Sequence, residues 1–302
     1  MGKASSVLIV SCLMLSTFSV PVFSQEASEE YWREFETNAP SVPRSLKTQK
    51  WEELVKRHTW ELGPEVSYID YEEPGVMKEE GVMVGVAGSY VYRGWVEPDV
   101  GNAMLKAEGG ISFGQVGYTG TGSIDNIGNY RLEFRGVGGY DFWLGESVTL
   151  TPYIGFGYRY LNDDSSGKIS TTGAVGYERE SNYLYSPVGL AILIDLEGSW
   201  SVGLTGEYDI FWKGIQLSHL SDALPSLSDL ENDQNSGYGV RGAVRIAKRG
   251  EKVDLVFEPF VRYWDIEQSE LSLITFSGTI VDFGFEPANN STEYGMKITV
   301  QF

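Results

Sequence analysis

The chain has 302 residues, and its 42 Asp and Glu outnumber its 23 Lys and Arg to leave a formal net charge of −19. That length suits one large β domain or two ordinary ones, and a balance this acidic excludes a nucleic-acid partner, which needs a basic surface. Beyond Ser24 no run approaches the roughly 18 apolar residues of a membrane-crossing helix.

At the N-terminus, Lys3, the apolar run Val7 to Leu15 and Val20-Pro-Val-Phe-Ser24 have the charged start, apolar centre and small final residue of a secretory signal, so residues 1–24 are expected to be removed. Ile9-Val-Ser-Cys12 loosely matches a lipoprotein box, but the apolar run before Cys12 is too short and continues well beyond it. Loss of Cys12 with the leader leaves a chain without cysteine, suited to an oxidising compartment and a fold that needs no disulfide. Residues 25–57 read as a short polar extension. Gln49 to Arg57 has helical spacing through Trp51, Leu54 and Val55. A flexible periplasmic segment is the expectation, and a helix that caps a barrel mouth is its alternative.

From Thr59 the pattern changes to period two, which puts alternate side chains on opposite faces of a strand. Ten segments follow this rule. Their apolar sets are Trp60, Leu62, Val66 and Tyr68; Val82, Val84, Val86, Tyr90 and Tyr92; Leu105, Ala107, Ile111 and Phe113; and Tyr130, Leu132, Phe134, Tyr140 and Phe142. Next come Val148, Leu150, Ile154, Phe156, Tyr158 and Tyr160, then the segment from Tyr183 to Asp195. That sixth segment is almost continuously apolar, so its register is open; Val188, Leu190, Ile192 and Ile194 are taken as the outward set. Trp200, Val202, Leu204, Tyr208, Ile210 and Trp212 form the seventh, Tyr238, Val240, Val244 and Ile246 the eighth, and Val253, Leu255, Phe257, Val261 and Tyr263 the ninth. The tenth is Tyr294, Met296, Ile298, Val300 and Phe302, alternating with Glu293, Gly295, Lys297, Thr299 and Gln301.

The connections alternate in length. Trp143–Ser147, Asp195–Ser199 and Ala247–Lys252 are short and carry glycine, and Gly94–Asn102 on the same side is somewhat longer, whereas Glu72–Glu80, Thr119–Gly128, Asn162–Gly176, Gly214–Ser236 and Ile266–Asn290 are acidic or rich in Ser and Gly and lengthen along the chain. Short turns on one side and long loops on the other are the habit of a transmembrane barrel, as are aromatics at the ends of its apolar band. A soluble β-sandwich has no reason to keep either. The expected fold is therefore all-β: an antiparallel up-and-down transmembrane barrel over residues 58–302 with about ten strands, eight or twelve being the alternatives.

The opposite, inward face carries acids Glu61, Glu65, Glu108, Glu133, Asp141, Glu207, Asp209, Asp254, Glu258 and Glu293 and bases Arg93, Lys106, Arg131, Arg135, Arg159, Lys213, Arg241, Arg245, Arg262 and Lys297. The two sets match in number. Confined unpaired charge is costly, and a ten-stranded lumen is narrow, so the expectation is an ion-pair network that fills much of it. A narrow ion or small-solute channel, whose pairs exchange partners, is the alternative.

Catalytic chemistry has little support. His58 follows Lys56 and Arg57 and reads as a solvated end residue. His219 and Ser221 stand in Leu217-Ser-His-Leu-Ser-Asp-Ala223, a His-x-Ser spacing that resembles outer-membrane lipid A deacylases, where the His activates the Ser. The resemblance would make Glu231 or Asp233 the orienting acid. It departs from that family in lying in a long loop, with Asp222 in place of the usual Asn. The ten-stranded omptin proteases carry an Asp-x-His pair, but here Leu217 stands two residues before His219. With no cysteine after the leader and two distant histidines, no transition-metal site is expected, and no cofactor.

The terminal strand ending on Phe302, the aromatic-rich Thr151-Pro-Tyr-Ile-Gly-Phe-Gly-Tyr-Arg-Tyr160 and the turn alternation resemble the OmpA-like and related small outer-membrane β-barrel families. The resemblance implies a monomeric, non-enzymatic outer-membrane protein of a Gram-negative cell, in contact with lipopolysaccharide. Tyr294, Met296, Ile298, Val300 and Phe302 would be its signal to the barrel-assembly machinery, and the acidic loops would meet a surface partner.

Overall fold

The computed structural model describes Trp51, residues 56–196 and residues 198–302. The expected leader (1–24) and nearly all of the expected extension (25–57) lie outside them.

The backbone follows the period-two pattern. Strands β1 (His58–Glu73), β2 (Met77–Glu97), β3 (Gly101–Gly120), β4 (Gly122–Leu144), β5 (Val148–Asp164), β6 (Glu178–Asp195) and β7 (Trp200–Ser218) pair each with the next, all antiparallel. A single turn, α1 (Leu220–Ala223), and the short β8 (Leu230–Gln234) follow. Strands β9 (Gly237–Lys248) and β10 (Asp254–Ile266) come next, then a hairpin of β11 (Ser272–Phe276) and β12 (Thr279–Gly284), and finally β13 (Asn289–Gln301). β7 pairs with β9, β9 with β10, β10 with β13, and β13 returns to β1, where Leu62 faces Val300 and Glu65 faces Lys297. The ring therefore closes with ten strands and leaves no open edge.

Two connections are shorter than the sequence suggests. Glu72–Glu80 and Thr119–Gly128 are strand for most of their length, joined by tight turns at Glu73–Met77 and Gly120–Gly122. Gly75 and Gly122 take the left-handed backbone these turns need, at φ 79° and 85°. Length is concentrated in three connections, 165–177, 219–236 and 267–288, and the last two hold α1, β8 and the β11–β12 hairpin. β8 pairs with the upper end of β7, and β11 rests on segment 226–231 through Ser228 N–H to the Thr275 carbonyl at 2.9 Å.

A bulge in β7 corrects one inward assignment. Leu184 faces Lys213, but its neighbour Tyr185 faces Phe211, so Trp212 is an extra residue and the faces exchange beyond it. Gln216 and Ser218 consequently turn into the lumen and are buried. Lys213 leaves it and meets Asp233 of β8 at 3.0 Å.

The outward set is exposed around the whole ring: Leu62 and Val66 on β1, Val84 on β2, Phe134 on β4, Phe156 on β5, Leu190 on β6, Leu204 on β7, Val240 on β9, Leu255 on β10 and Ile298 on β13. Val188, Leu190 and Ile194 settle the register of β6 as outward at even positions. Above this band the outward side turns polar, with Asp70 and Glu72 on β1, Lys78 and Glu80 on β2, Asn162 and Asp164 on β5, and Glu178 and Glu180 on β6.

Candidate functional site: a charged layer across the lumen

Inside the ring, side chains stack in layers from the short-turn end upward. At the lowest level Trp51 is buried, stacks on Trp143 with ring centroids 6.0 Å apart, and donates from Nε1 to the Gly145 carbonyl at 3.3 Å. Trp143 donates to Asn102 at 3.2 Å, and Asn102 in turn donates to Asp141 at 2.9 Å. Asp141 also accepts from Thr151 at 2.6 Å and pairs with Arg93 at 2.9 Å. Asp254 is held by Lys56 at 3.4 Å and by Gln301 at 3.1 Å.

Above this floor lies a cavity of about 320 Å³ with charged walls. Arg245 pairs with Glu61 at 2.7 Å and Lys297 with Glu258 at 2.9 Å, while Glu108 is shared by Lys106 and Arg135, and Arg135 also reaches Glu207.

The cavity ends at a layer made by three arginines. Arg131 pairs with Glu65, lies 3.5 Å from Glu133 and 3.5 Å from Glu293, and donates to Ser112 at 3.1 Å. Arg262 pairs with Glu65 at 3.0 Å and Glu293 at 3.1 Å. Arg241 pairs with Glu133, with Asp209 at 2.6 Å and with Glu207 at 3.3 Å. Tyr185 donates to Glu133 at 2.6 Å, and the Arg241 guanidinium lies 5.3 Å from its ring centre. None of these ionic side chains is more than 11 % exposed. Every carboxylate in the layer has a guanidinium partner, the condition under which confined charge is tolerated.

A further layer, which period-two alternation does not mark, is apolar. Tyr183, Tyr185, Phe211, Trp264 and Ile266 form one buried cluster; Ile69, Met83, Val116, Ile127 and Leu161, with Tyr71 and Met77, form another. Arg159 was expected among the ion pairs. It lies instead over aromatic faces, 5.7 Å from the ring centres of both Tyr183 and Trp264.

A ring with this charged and apolar filling, and an unbroken apolar outside, suits lipid as its solvent and not water; soluble monomers rarely expose such continuous apolar area. The chain is a membrane-spanning β-barrel. Its short-turn end is then periplasmic and its long loops extracellular, the arrangement of such barrels.

No family model and no curated protein sequence matches this chain. Among solved structures, the translocator domain of the autotransporter NalP from Neisseria meningitidis is similar at 11% identity over 91% of this chain and 95% of that one, with a TM-score of 0.42. The Pseudomonas putida toluene transporter TodX is similar at 11% identity over 86% and 92%, TM-score 0.33. The Ralstonia pickettii toluene transporter TbuX is similar at 10% identity over 82% and 89%, TM-score 0.35.

At the extracellular end of the barrel, above the apolar band, four carboxylates gather round Arg179: Glu73 at 2.6 Å, Asp163 at 3.2 Å, Glu79 at 3.7 Å and Glu286 at 4.0 Å. The Tyr71 hydroxyl lies between Glu73 and Glu286, 3.2 Å from each, and shares its one proton with them. Burial first, and then neighbouring carboxylates, push Glu79 and Glu286 up to about 8, against the pull of Arg179; Asp163 is raised by burial too.

The proposed Ser–His pair is not formed. His219 faces Glu180 through Nε2 at 2.9 Å and Asp229 through Nδ1 at 3.5 Å, and Ser221 donates its backbone N–H to Asp229 at 3.0 Å. Both ring nitrogens thus face carboxylates, and the acids are Glu180 and Asp229 in place of Glu231 or Asp233. Burial opposes the charge on His219, yet the two acids carry its pKa above the ordinary histidine value. Glu231 lies on β8 opposite Leu217, and Asp233 is taken by Lys213.

Proposed function

We propose that this is an integral outer-membrane protein whose barrel is closed at mid-height and serves as a rigid stalk for its extracellular loops. One observation carries the reading: Arg131, Arg241 and Arg262, from β4, β9 and β10, are joined through Glu65, Glu133 and Glu293 in a single buried layer across the lumen. The aromatic layer of Tyr183, Tyr185 and Trp264 lies against it and supports the same conclusion. On this reading the chain works as a monomer without cofactor or catalysis. It meets lipopolysaccharide through its outer wall, is inserted by the barrel-assembly machinery through the strand ending at Phe302, and engages a surface partner through its acidic loops.

A second reading is a narrow channel, favoured by the 320 Å³ charged cavity directly beneath the layer. Planar-bilayer recording separates the two. The closed reading expects no steady conductance from the parent protein and a measurable one from Arg131→Ala with Arg262→Ala. Steady ohmic conductance from the parent would replace it with the channel.

A further inference from the structure

The apolar belt is not uniform. On β3 and β4, near the periplasmic end, the outward positions Ala107, Gly136 and Gly138 carry little or no side chain. Ala107 faces Gly136 across the ladder, and Leu105 faces Gly138. The missing side chains leave a groove of about 810 Å³ in the outer wall, with Tyr90 and Tyr92 at one end and Phe156 and Trp212 at the other. Phe156 and Trp212 stand up from the wall at 72 % and 61 % exposure, their ring centroids 6.3 Å apart. A Cβ added at Gly136 would meet no atom within 4 Å, so the space above it is open.

Position limits what fills it. The groove is part of the face that meets lipid, so acyl chains are its natural content. At its tyrosine end the wall becomes polar. The His58 Nδ1 lies 2.7 Å from the Tyr90 hydroxyl, its ring centre is 5.3 Å from that of Tyr92, and Arg57 precedes it in the chain. Glu97, farther along β2, accepts the Tyr140 hydroxyl at 3.3 Å. Imidazole and phenol groups at the membrane interface suit a phosphate, and aromatics of this kind sit at headgroup depth. This end is the periplasmic one, away from the leaflet of lipopolysaccharide.

We propose that the groove is a defined seat for one phospholipid of the periplasmic leaflet, with an acyl chain lying over Gly136 and Gly138 and the phosphate at His58 and Tyr92. The inference rests on the barrel's place in the membrane and is indifferent to whether the lumen conducts.

The test is native mass spectrometry of the full-length protein, extracted from membranes in a mild nonionic detergent and supplemented with phosphatidylethanolamine. One lipid adduct per chain is expected. Gly136→Leu should lower its retention at least tenfold, and Ala107→Leu, which fills the same floor from β3, should do likewise if the first variant fails to fold. Gly206→Leu is the control: it is also outward, an added Cβ there also meets nothing within 4 Å, and it lies opposite Leu190 and Gly242 outside the groove. His58→Ala should weaken retention severalfold. Heat-modifiable migration checks that each variant is folded. The proposal is overturned by no adduct on the parent, by equal retention in the filled and control variants, by lipopolysaccharide as the retained species, or by a dimer that the groove variants dissociate.

Discussion

Arg262 grips Glu65 through two guanidinium nitrogens, at 3.2 and 3.0 Å, although β13 lies between their strands. The contact therefore belongs to the lumen and not to the sheet ladder, and it ties the first strand of the barrel to the ninth of the ring. Burial decides its energetics. Removing one partner leaves the other enclosed with one counter-charge fewer (Arg131 for Glu65, Glu293 for Arg262), so Glu65→Ala or Arg262→Ala is expected to cost up to about 3–5 kcal/mol. Replacing both by apolar residues of similar volume should recover most of that loss. Urea unfolding in lipid vesicles, followed by tryptophan fluorescence, measures it; single variants within about 1 kcal/mol of the parent would mean that the layer does not act as a unit.

The sequence exposed the faces of this barrel but not the neighbours across it. Period two placed Glu65, Arg131, Arg262 and Glu293 inward, because each alternates with residues such as Val66, Leu132 and Val261 that meet lipid. Which carboxylate meets which arginine depends on shear and diameter, and alternation encodes neither. Lys213 shows a second limit: one extra residue at Trp212 reverses the faces, and nothing in the local pattern marks it. The Arg179 group stayed hidden for a third reason. Glu73, Glu79 and Asp163 fell within segments read as loops, where no face is assigned. Tyr183 and Tyr185 are illegible as an inner core because they fall in a near-continuous apolar run, and Trp264 because it stands beside the outward Tyr263 at the end of its strand.

The Arg179 group makes the extracellular end sensitive to alkali. Glu79 and Glu286 have an ordinary value of 4.5 and are pushed up to about 8 where they are buried. Between these values the packed state holds more protons than the opened one, so its stability falls as pH rises. The stabilising contribution of these two groups is fully present below about 4.5 and is lost as pH rises through about 8. Glu286 precedes β13 and tethers segment 267–288 to Tyr71 and Arg179. Hydrogen exchange in that segment should accelerate between pH 6 and pH 9 beyond its intrinsic chemical rate, and Glu286→Gln should flatten the trend. Greater protection at higher pH would contradict the assignment.

Trp51 docks on the barrel by stacking on Trp143. Its burial against Trp143 and its bond to the Gly145 carbonyl are the contacts that bring this residue to the periplasmic mouth. Trp51→Ala removes both, and large-to-small changes of a buried Trp cost about 3–5 kcal/mol. That loss falls on the docking and not on the strand ladder. Trypsin should therefore cleave at Lys56 or Arg57 much faster in the variant, while the barrel band on a gel keeps its heat-modifiable migration. Equal cleavage rates in parent and variant would show that the anchor contributes little.

Tyr185 reaches Glu133 and Arg241 because Gly157 faces it across β5 and β6. A Cβ on Gly157 would collide with the phenol ring of Tyr185, whereas a Cβ on Gly136, on the outer wall of β4, meets nothing. The two glycines are close in sequence and opposite in role. Gly157→Ala must push the ring out of the charged layer or strain the strand, an overpacking cost of about 1–3 kcal/mol. Gly136→Ala has no such collision, and losing a glycine from a strand interior should leave stability unchanged or raise it by about 0.5 kcal/mol. Thermal unfolding of both variants in the same detergent, with tyrosine near-UV circular dichroism for the ring, decides the matter. The inner aromatic layer is built on the absence of a side chain at Gly157 if Gly157→Ala alone is weakened and alone loses the tyrosine signal.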